Sequence, residues 1–353
     1  MLADATLAHP RGRLVVDLRA SAWTWSLSDE AADTIRRAAP PGWTVEFVSA
    51  RTVSDGDGNE TPSAEVMRAI AEADAYVGFG MPRVLFTAGR RLRWVHTAAA
   101  GVGSLLFPEM IESDVVLTNS AGIHAAPMAE HVLGGILYLL RQFDVAVAQQ
   151  RDRVWNREPF VGPSTKVREL GECRVLIVGA GGIGTEIGRR LTALGARCIG
   201  VRRRPERGIP QGFEAVYGVA DLDSLLSAAD ILIIAAPATA ETRALVTAER
   251  LDHLPQGAIV VNVARGSLLD ERALAERLRD GRLSGAVLDV FEREPLSSDS
   301  DLWDIPRLLL TPHVSATSPG GYWRRELELF IDNWNRFASG RSLRNVVDKR
   351  AGY

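Results

Sequence analysis

The chain has 353 residues, enough for two domains that each bury a core of their own. Its 46% hydrophobic and 24% charged content is that of an ordinary globular protein, not of a disordered or fibrous one. A net charge of −3, with arginines spread along the chain, gives no reason to expect nucleic acid or an anionic membrane as a partner, and the opening MLADATLAHPRGR has no apolar signal core.

Residues 13–118 alternate two patterns. RLVVDL, WTVEFV, AYVGFG, RWVHTA and VVLTN read as short strands, while DEAADTIRRA and SAEVMRAIAEA between them have helical spacing. Such alternation folds into a parallel sheet covered on both faces. No phosphate-binding glycine pattern occurs here, so this domain is expected to bind something other than a nucleotide. RTVSDGDGNETPS (51–63) is polar and glycine-rich and reads as an exposed loop. After Asn119 a long helical pattern runs from about 125 to 150, with Val132, Ile136, Leu139, Leu140 and Phe143 apolar. Its most apolar part, 131–140, lies between Glu130 and Arg141 and is too short to span a bilayer.

The stretch 173–202, CRVLIVGAGGIGTEIGRRLTALGARCIGVR, is the strand–turn–helix–strand unit of a dinucleotide site. Gly179 permits a tight turn, Gly181 lets the backbone approach a pyrophosphate, and Gly184 lets the helix pack on the strand. With Gly182 and Ile183 they place free N–H groups and the positive dipole end of a helix at the anion. Glycine turns before helices are common, but here both flanking strands appear in order. Arg202, Arg203 and Arg204 stand where NAD-selective sites carry an acidic residue, and no carboxylate follows until Glu206. A solvated basic turn is the bland alternative. The arginines favour NADP(H), with NAD(H) as second choice.

ADILIIAAP, GAIVVNVARG, GAVLDVF and RLLLTPH continue the sheet, with ETRALVTAERLDHL and DERALAERLRDG as helical segments among them. Six strands complete a doubly wound sheet. GGYWRRELELFIDNWNRFASG follows the finished sheet and is expected to return to the first domain. The expected architecture is therefore α/β, with two Rossmann-like or flavodoxin-like domains of parallel strands. A substrate domain of 1–119 completed by 315–353 joins a dinucleotide domain of 120–314 through two crossings, with the active-site cleft between them. Cys173 and Cys198 fall in or beside buried strands and read as core thiols of a reducing, cytoplasmic compartment.

Three polar residues end strands of the second sheet: Arg265 after IVVNVA, Glu294 after LDVFER and His313 after LLLTP. Each alone is commonly a surface or structural group. Together, facing a nicotinamide, they suit reduction of a 2-keto acid. A guanidinium holds the carboxylate and polarises the carbonyl, an imidazolium delivers the proton, and a carboxylate behind the ring orients it and favours its charged form.

The chain resembles the D-isomer-specific 2-hydroxyacid dehydrogenases over about 94–348. AAAGVGSLL, TNSAGIHAAPMAEHVL, VGAGGIGTEIGRRL, PATAETRALV, VNVARGSLLDERAL, GAVLDVFEREPL, LLLTPHVSATS and NVVD carry the resemblance. The ARG, LDVFEREP and TPH motifs stand in family order. The resemblance implies that Arg265 polarises the substrate, that His313 is the acid–base and that Glu294 is its partner. Asp289 would contact the nicotinamide carboxamide, and Pro237 and Ala264 would line the cofactor site. Backbone N–H groups of Ala99, Ala100, Gly101 and Val102 would hold the substrate carboxylate, and the 125–150 helix would pack across a homodimer interface. The arginine run is similar to the NADP-preferring glyoxylate/hydroxypyruvate reductase branch. Glu294 sets the chain apart from the formate dehydrogenase branch, which has a glutamine there. Gly103 replaces an aspartate found in many members.

His124 and His131, seven apart with Glu130 nearby, offer too few ligands for a metal, and none is expected. His96 reads as a satisfied strand-end histidine or a cleft-lining one. Substrate side-chain selection is expected from loops of the first domain and from Trp303, Tyr322 and Trp323. Two functional readings stand: an NADP(H)-dependent reductase of a small 2-keto acid, and a non-enzymatic dinucleotide-sensing scaffold, as in corepressor relatives of the fold.

Overall fold

The computed structural model describes residues 8–21, 23–50, 53–54 and 60–352. The first seven residues, and most of the loop expected at 51–63, lie outside them. Within that loop Val53–Ser54 (β3) and Glu60–Thr61 (β4) pair antiparallel. The chain divides into two compact units. One holds the described residues up to His124 together with those from Ser318 onward, and the other spans Ala125–Thr317.

The first unit is built on Gly12–Asp17 (β1), Trp43–Phe47 (β2), Ala75–Gly78 (β5), Trp94–Thr97 (β6) and Val116–Asn119 (β7). They form one parallel sheet in the order β2-β1-β5-β6-β7, the flavodoxin-like arrangement. Alternation along β1 sends Leu14 and Val16 into one layer and Val15 into the other, so the strand reads as an unbroken apolar run. The helix Tyr322–Ala338 covers one face, with Phe330, Trp334 and Phe337 packed against Leu14, Trp43 and Trp94. Ser28 and Ser63 cap Asp29–Arg37 and Ala64–Ile70, each accepting a backbone N–H at 3.1 Å.

The second unit carries seven parallel strands: Arg174–Val178 (β8), Arg197–Val201 (β9), Ala215–Tyr217 (β10), Ile231–Ile234 (β11), Ala258–Asn262 (β12), Leu283–Leu288 (β13) and Leu308–Leu310 (β14). Their order is β10-β9-β8-β11-β12-β13-β14, which reverses direction between β8 and β11, the switch point where ligands of such sheets bind. The sequence gives six of these strands a recognisable pattern. β10 has three residues, too few to show a period.

The helix expected over 125–150 is two helices, Ala125–Leu140 and Phe143–Asp152, bent by 67°. Gln142 breaks it: its φ is +53°, and its buried amide donates to the Pro159 carbonyl at 2.7 Å. ETRALVTAERLDHL is helical only over Ala248–His253, because Thr247 caps that helix and Val246 makes a bridge to Leu269. No single helix among the described residues is long and apolar enough to cross a membrane. The bent pair has the length and composition, but its first helix sinks Val132, Ile136 and Leu139 into the core. Cys173 and Cys198 are free, fully buried thiols. Burial pushes both up from the usual thiol range, which makes them inert.

Candidate active site

At the switch point, the turn after β8 is set by backbone contacts. Gly179 has φ +106°, and a Cβ there would lie 2.4 Å from Ala236 N. A Cβ on Gly184 would lie 2.2 Å from Gly179 O, so the helix Gly182–Ala193 starts in direct contact with the turn. Among the described residues no atom beyond its own chain neighbours comes within 4 Å of the Cβ position of Gly181, and this residue caps the helix without a side chain. The first N–H groups of that helix, those of Gly182 and Ile183 included, thus open onto clear space, which suits a pyrophosphate. Pro237, after β11, is exposed, and Ala264, after β12, is half-buried.

Beyond the end of β9 the three arginines differ. Arg202 turns its guanidinium onto the Gly208 carbonyl. Arg203 is exposed and pairs with Glu241, beyond β11, at 2.6 Å. Arg204 is exposed as well. Glu241 lies 38 residues away, and no local pattern in the sequence points to it.

Arg265, Asp289 and His313 follow β12, β13 and β14, three adjacent strands. Asn262, fully buried at the end of β12, is a polar residue in an apolar strand. Its amide donates to the Arg265 carbonyl at 3.0 Å and its oxygen accepts Ala264 N–H at 3.0 Å, which fixes the Arg265 turn. Arg265 itself is exposed, and among the described residues its guanidinium has no ion-pair partner; it donates only to the adjacent Ala264 carbonyl. Such a fork is available to a carboxylate. Gly266 must be glycine, because a Cβ there would lie 1.9 Å from Phe291 C. That contact seats the Arg265 turn on the loop leading to Glu294.

His313 Nδ1–H donates to Glu294 Oε2 at 2.7 Å, and Glu294 Oε1 accepts Phe291 N–H at 2.9 Å. The carboxylate only accepts, so it fixes the proton on Nδ1 and leaves Nε2 as the exchanging atom. The His313 side chain is 39% exposed and that of Glu294 26%.

Asp289 behaves differently from the expectation that it contacts a nicotinamide. It is fully buried, and its carboxylate accepts from Thr311 Oγ1 at 2.6 Å and from the N–H groups of Val314 and Ser315 at 2.9 Å each. It has no exposed surface to offer a carboxamide; instead it holds the turn that presents His313. His131 donates to Thr311 Oγ1 at 3.1 Å and joins the same support.

In the first unit the loop after β6 is held from below. His96 is fully buried: Nδ1 meets Thr118 Oγ1 at 2.8 Å, and Nε2 lies 3.1 Å from Glu326 and 3.2 Å from Ser120 Oγ. It lines no cleft. Tyr322 is also buried and donates to the Ala98 carbonyl at 2.9 Å, so it is a support for this loop and not a selector of substrate. Trp303, in the second unit, is exposed and donates to the Ser297 carbonyl at 2.8 Å. Asn119 donates to the Ala100 carbonyl at 2.7 Å and Ser120 N–H to the Ala99 carbonyl at 3.0 Å. The N–H groups of Ala100, Gly101 and Val102 have no acceptor among the described residues, a backbone nest suited to an anion. Among the described residues, its chain neighbours apart, nothing lies within 4 Å of the Cβ position of Gly103, so an aspartate would have room there.

His124 stacks on Tyr322, with ring centroids 5.7 Å apart, and precedes the helix that carries His131. Among the described residues no three His, Cys, Asp or Glu side chains are grouped to hold a metal.

Comparison with known proteins gives a consistent result. Residues 133–315 match the family model for the NAD-binding domain of D-isomer-specific 2-hydroxyacid dehydrogenases. The glyoxylate/hydroxypyruvate reductase A of Salmonella paratyphi B is 34% identical over 282 residues, covering 77% of this chain and 85% of that protein. Among solved structures, a D-isomer-specific 2-hydroxyacid dehydrogenase from Xanthobacter autotrophicus Py2, in complex with NADPH and MES, is 29% identical with a TM-score of 0.78, covering 97% of this chain and all of that one. An NADPH-dependent glyoxylate/hydroxypyruvate reductase from Sinorhizobium meliloti, in complex with NADP and sulfate, is 28% identical with a TM-score of 0.76 at 97% and 100% coverage. With its dinucleotide turn and the strand-end Arg265, Glu294 and His313 in place, the chain belongs to the D-isomer-specific 2-hydroxyacid dehydrogenase family, on its glyoxylate/hydroxypyruvate reductase branch.

Proposed function

We propose that the protein is an NADP(H)-dependent reductase of a small 2-keto acid, forming the D-2-hydroxy acid. The observation that carries this reading is the His313–Glu294 bond, with the Arg265 turn seated through Gly266 on the loop that leads to Glu294. NADPH, when bound, supplies the hydride. Gly179, Gly181, Gly182, Ile183 and Gly184 would hold its pyrophosphate and Arg202, Arg203 and Arg204 its 2′-phosphate, while Pro237 and Ala264, after β11 and β12, would line the cofactor site on the other side of β8. Arg265 binds the substrate carboxylate and draws charge onto the carbonyl oxygen. His313 Nε2 gives its proton to that oxygen, while Glu294 keeps the ring oriented and favours the imidazolium until transfer. The nest of Ala100, Gly101 and Val102 is the first unit's proposed anion-binding element. Asp289 acts through the His313 turn and not on the cofactor.

We place the protein in the cytoplasm as a homodimer, with neither nucleic acid nor membrane as partner. The dimer rests on the segment after the Gln142 break, where Phe143, Val147, Val154, Trp155 and Val161 are each more than half exposed. The test of the activity is oxidation of NADPH with glyoxylate, hydroxypyruvate, pyruvate and phenylpyruvate. Turnover with at least one is expected. Tight NADPH binding with no turnover of any of them would overturn the reading in favour of a dinucleotide-sensing scaffold.

A further inference from the structure

Glu271 opens the helix Glu271–Arg279, just past the Arg265 turn, and one of its oxygens accepts the backbone N–H of Glu292. The loop it grips is the one that carries Glu294. Phe291 N–H donates to Glu294 Oε1, and Glu294 Oε2 accepts from His313. The contact of Gly266 with the Phe291–Glu292 peptide presses the same two segments together. Among the described residues no cation pairs with Glu271. On its own helix, Asp270 caps Ala273 N–H at 2.9 Å and Arg272 pairs with Glu276 at 3.2 Å. The charges that act on Glu271 from the packed loop are the carboxylates of Glu292 and Glu294. Burial, reinforced by these two, pushes the Glu271 carboxyl up to about 7 against the lowering pull of the Glu292 N–H.

We infer that Glu271 is a positioning residue for the His313–Glu294 pair: it clamps the 291–294 loop, and its proton decides how much negative charge stands behind Glu294. This rests on the reading of His313 and Glu294 as the acid–base pair. At low pH Glu271 is neutral and supplies the clamp alone. As pH rises through neutrality it ionises, and the added charge favours the imidazolium in the range where a histidine ordinarily loses its proton. The reductive form of the enzyme is thereby extended to higher pH.

Two variants separate clamp from charge. Glu271→Gln keeps an acceptor oxygen but stays neutral, whereas Glu271→Ala removes both. In the NADP-bound enzyme, the His313 imidazole followed by ¹⁵N NMR should titrate lower in Glu271→Gln, by up to about one pH unit. The alkaline limb of NADPH oxidation should move with it. Glu271→Ala should lower kcat about 10- to 100-fold at all pH values, as misplacement of a reacting group does.

Stability gives a readout independent of turnover. The unfolded chain loses this proton near the usual 4.5 and the folded chain near about 7. The penalty is therefore absent below 4.5, grows as pH rises to about 7 and is constant above. Glu271→Gln should melt higher than the parent at pH 8 and at the same temperature at pH 4.5. Identical His313 titrations in parent and Glu271→Gln would overturn the inference. Absence of NADPH oxidation in the parent would instead strike the reductase reading, and the NMR titration would still decide the role of Glu271.

Discussion

His313 occupies the left-handed backbone region at φ +53°, which a residue with a Cβ holds only when its surroundings enforce it. Here its N–H donates to the Asp289 carbonyl at 2.9 Å, and the Asp289 side chain ties down the two residues that follow. The ring is thereby aimed before any ligand arrives. Glu294 completes the aim and supplies the charge. On the proposed reading His313 starts reduction protonated, so activity should fall as pH rises through loss of that proton. Glu294→Gln keeps the size and a hydrogen-bonding oxygen but removes the negative charge, so the alkaline limb should move to lower pH. Oxidation, which needs neutral imidazole, should gain at low pH. His313→Ala should lower kcat by about 10²–10⁴-fold. Paired pH–rate profiles, with the chemical step rate-limiting, decide this, and an unmoved alkaline limb in Glu294→Gln would remove Glu294 as the partner. Arg265, Glu294 and His313 stand out in the sequence as candidates because each follows an apolar strand, where open α/β sheets collect their ligand groups. The hydrogen bonds of Asp289 are not legible in the sequence, since its donors lie 22 to 26 residues further on.

At the scale of elements, the strands whose two faces are both covered are the ones the sequence reveals. β8, β11 and β12 each contain four consecutive apolar residues, all of them buried, and only burial from both sides makes such a run. The Gln142 break is hidden because its cause is an amide bonded to a carbonyl 17 residues away, which leaves the apolar spacing undisturbed. The join between the Arg265 turn and the 291–294 loop is equally hidden. Gly266→Ala should force that join apart, with a stability loss of about 1–3 kcal/mol from overpacking. It should also lower kcat, because Arg265 and Glu294 lie on the two displaced segments. Denaturant unfolding and steady-state kinetics on the same variant test both, and full activity at parental stability would show that the join does not position them. Beyond β9, Arg203 is the arginine whose guanidinium is both exposed and held in place, by Glu241. Arg203→Ala should raise KM for NADPH about tenfold, the worth of one charge-assisted bond, and leave KM for NADH nearly unchanged. An equal rise for both cofactors would place the 2′-phosphate elsewhere.

For the whole molecule, the two-unit α/β plan follows from alternating strand and helix patterns, and the glycine turn identifies which unit takes the dinucleotide. The supports under the Ala100–Val102 loop do not follow from any such pattern. Ser120 and His96 reach Glu326 across 206 and 230 residues, distances at which only the folded chain brings polar groups together. Assembly is a property of the surface, and there the apolar exposure is uneven. Trp155 is 92% exposed and Val161 64%, and with Val154 and Phe160 they line a groove of about 450 Å³. An indole this open, beside further exposed apolar side chains, fits the proposed interface. A two-fold interface would bury the patch against its own copy, since the same residues then serve both sides. Light scattering at micromolar concentration should therefore give twice the 38.3 kDa chain mass. Trp155→Glu places a charge at the middle of the patch and should shift that mass toward the monomer, while the far-ultraviolet circular dichroism of the fold is retained. A parent protein of monomer mass, or a Trp155→Glu dimer as tight as the parent, would remove this surface as the interface.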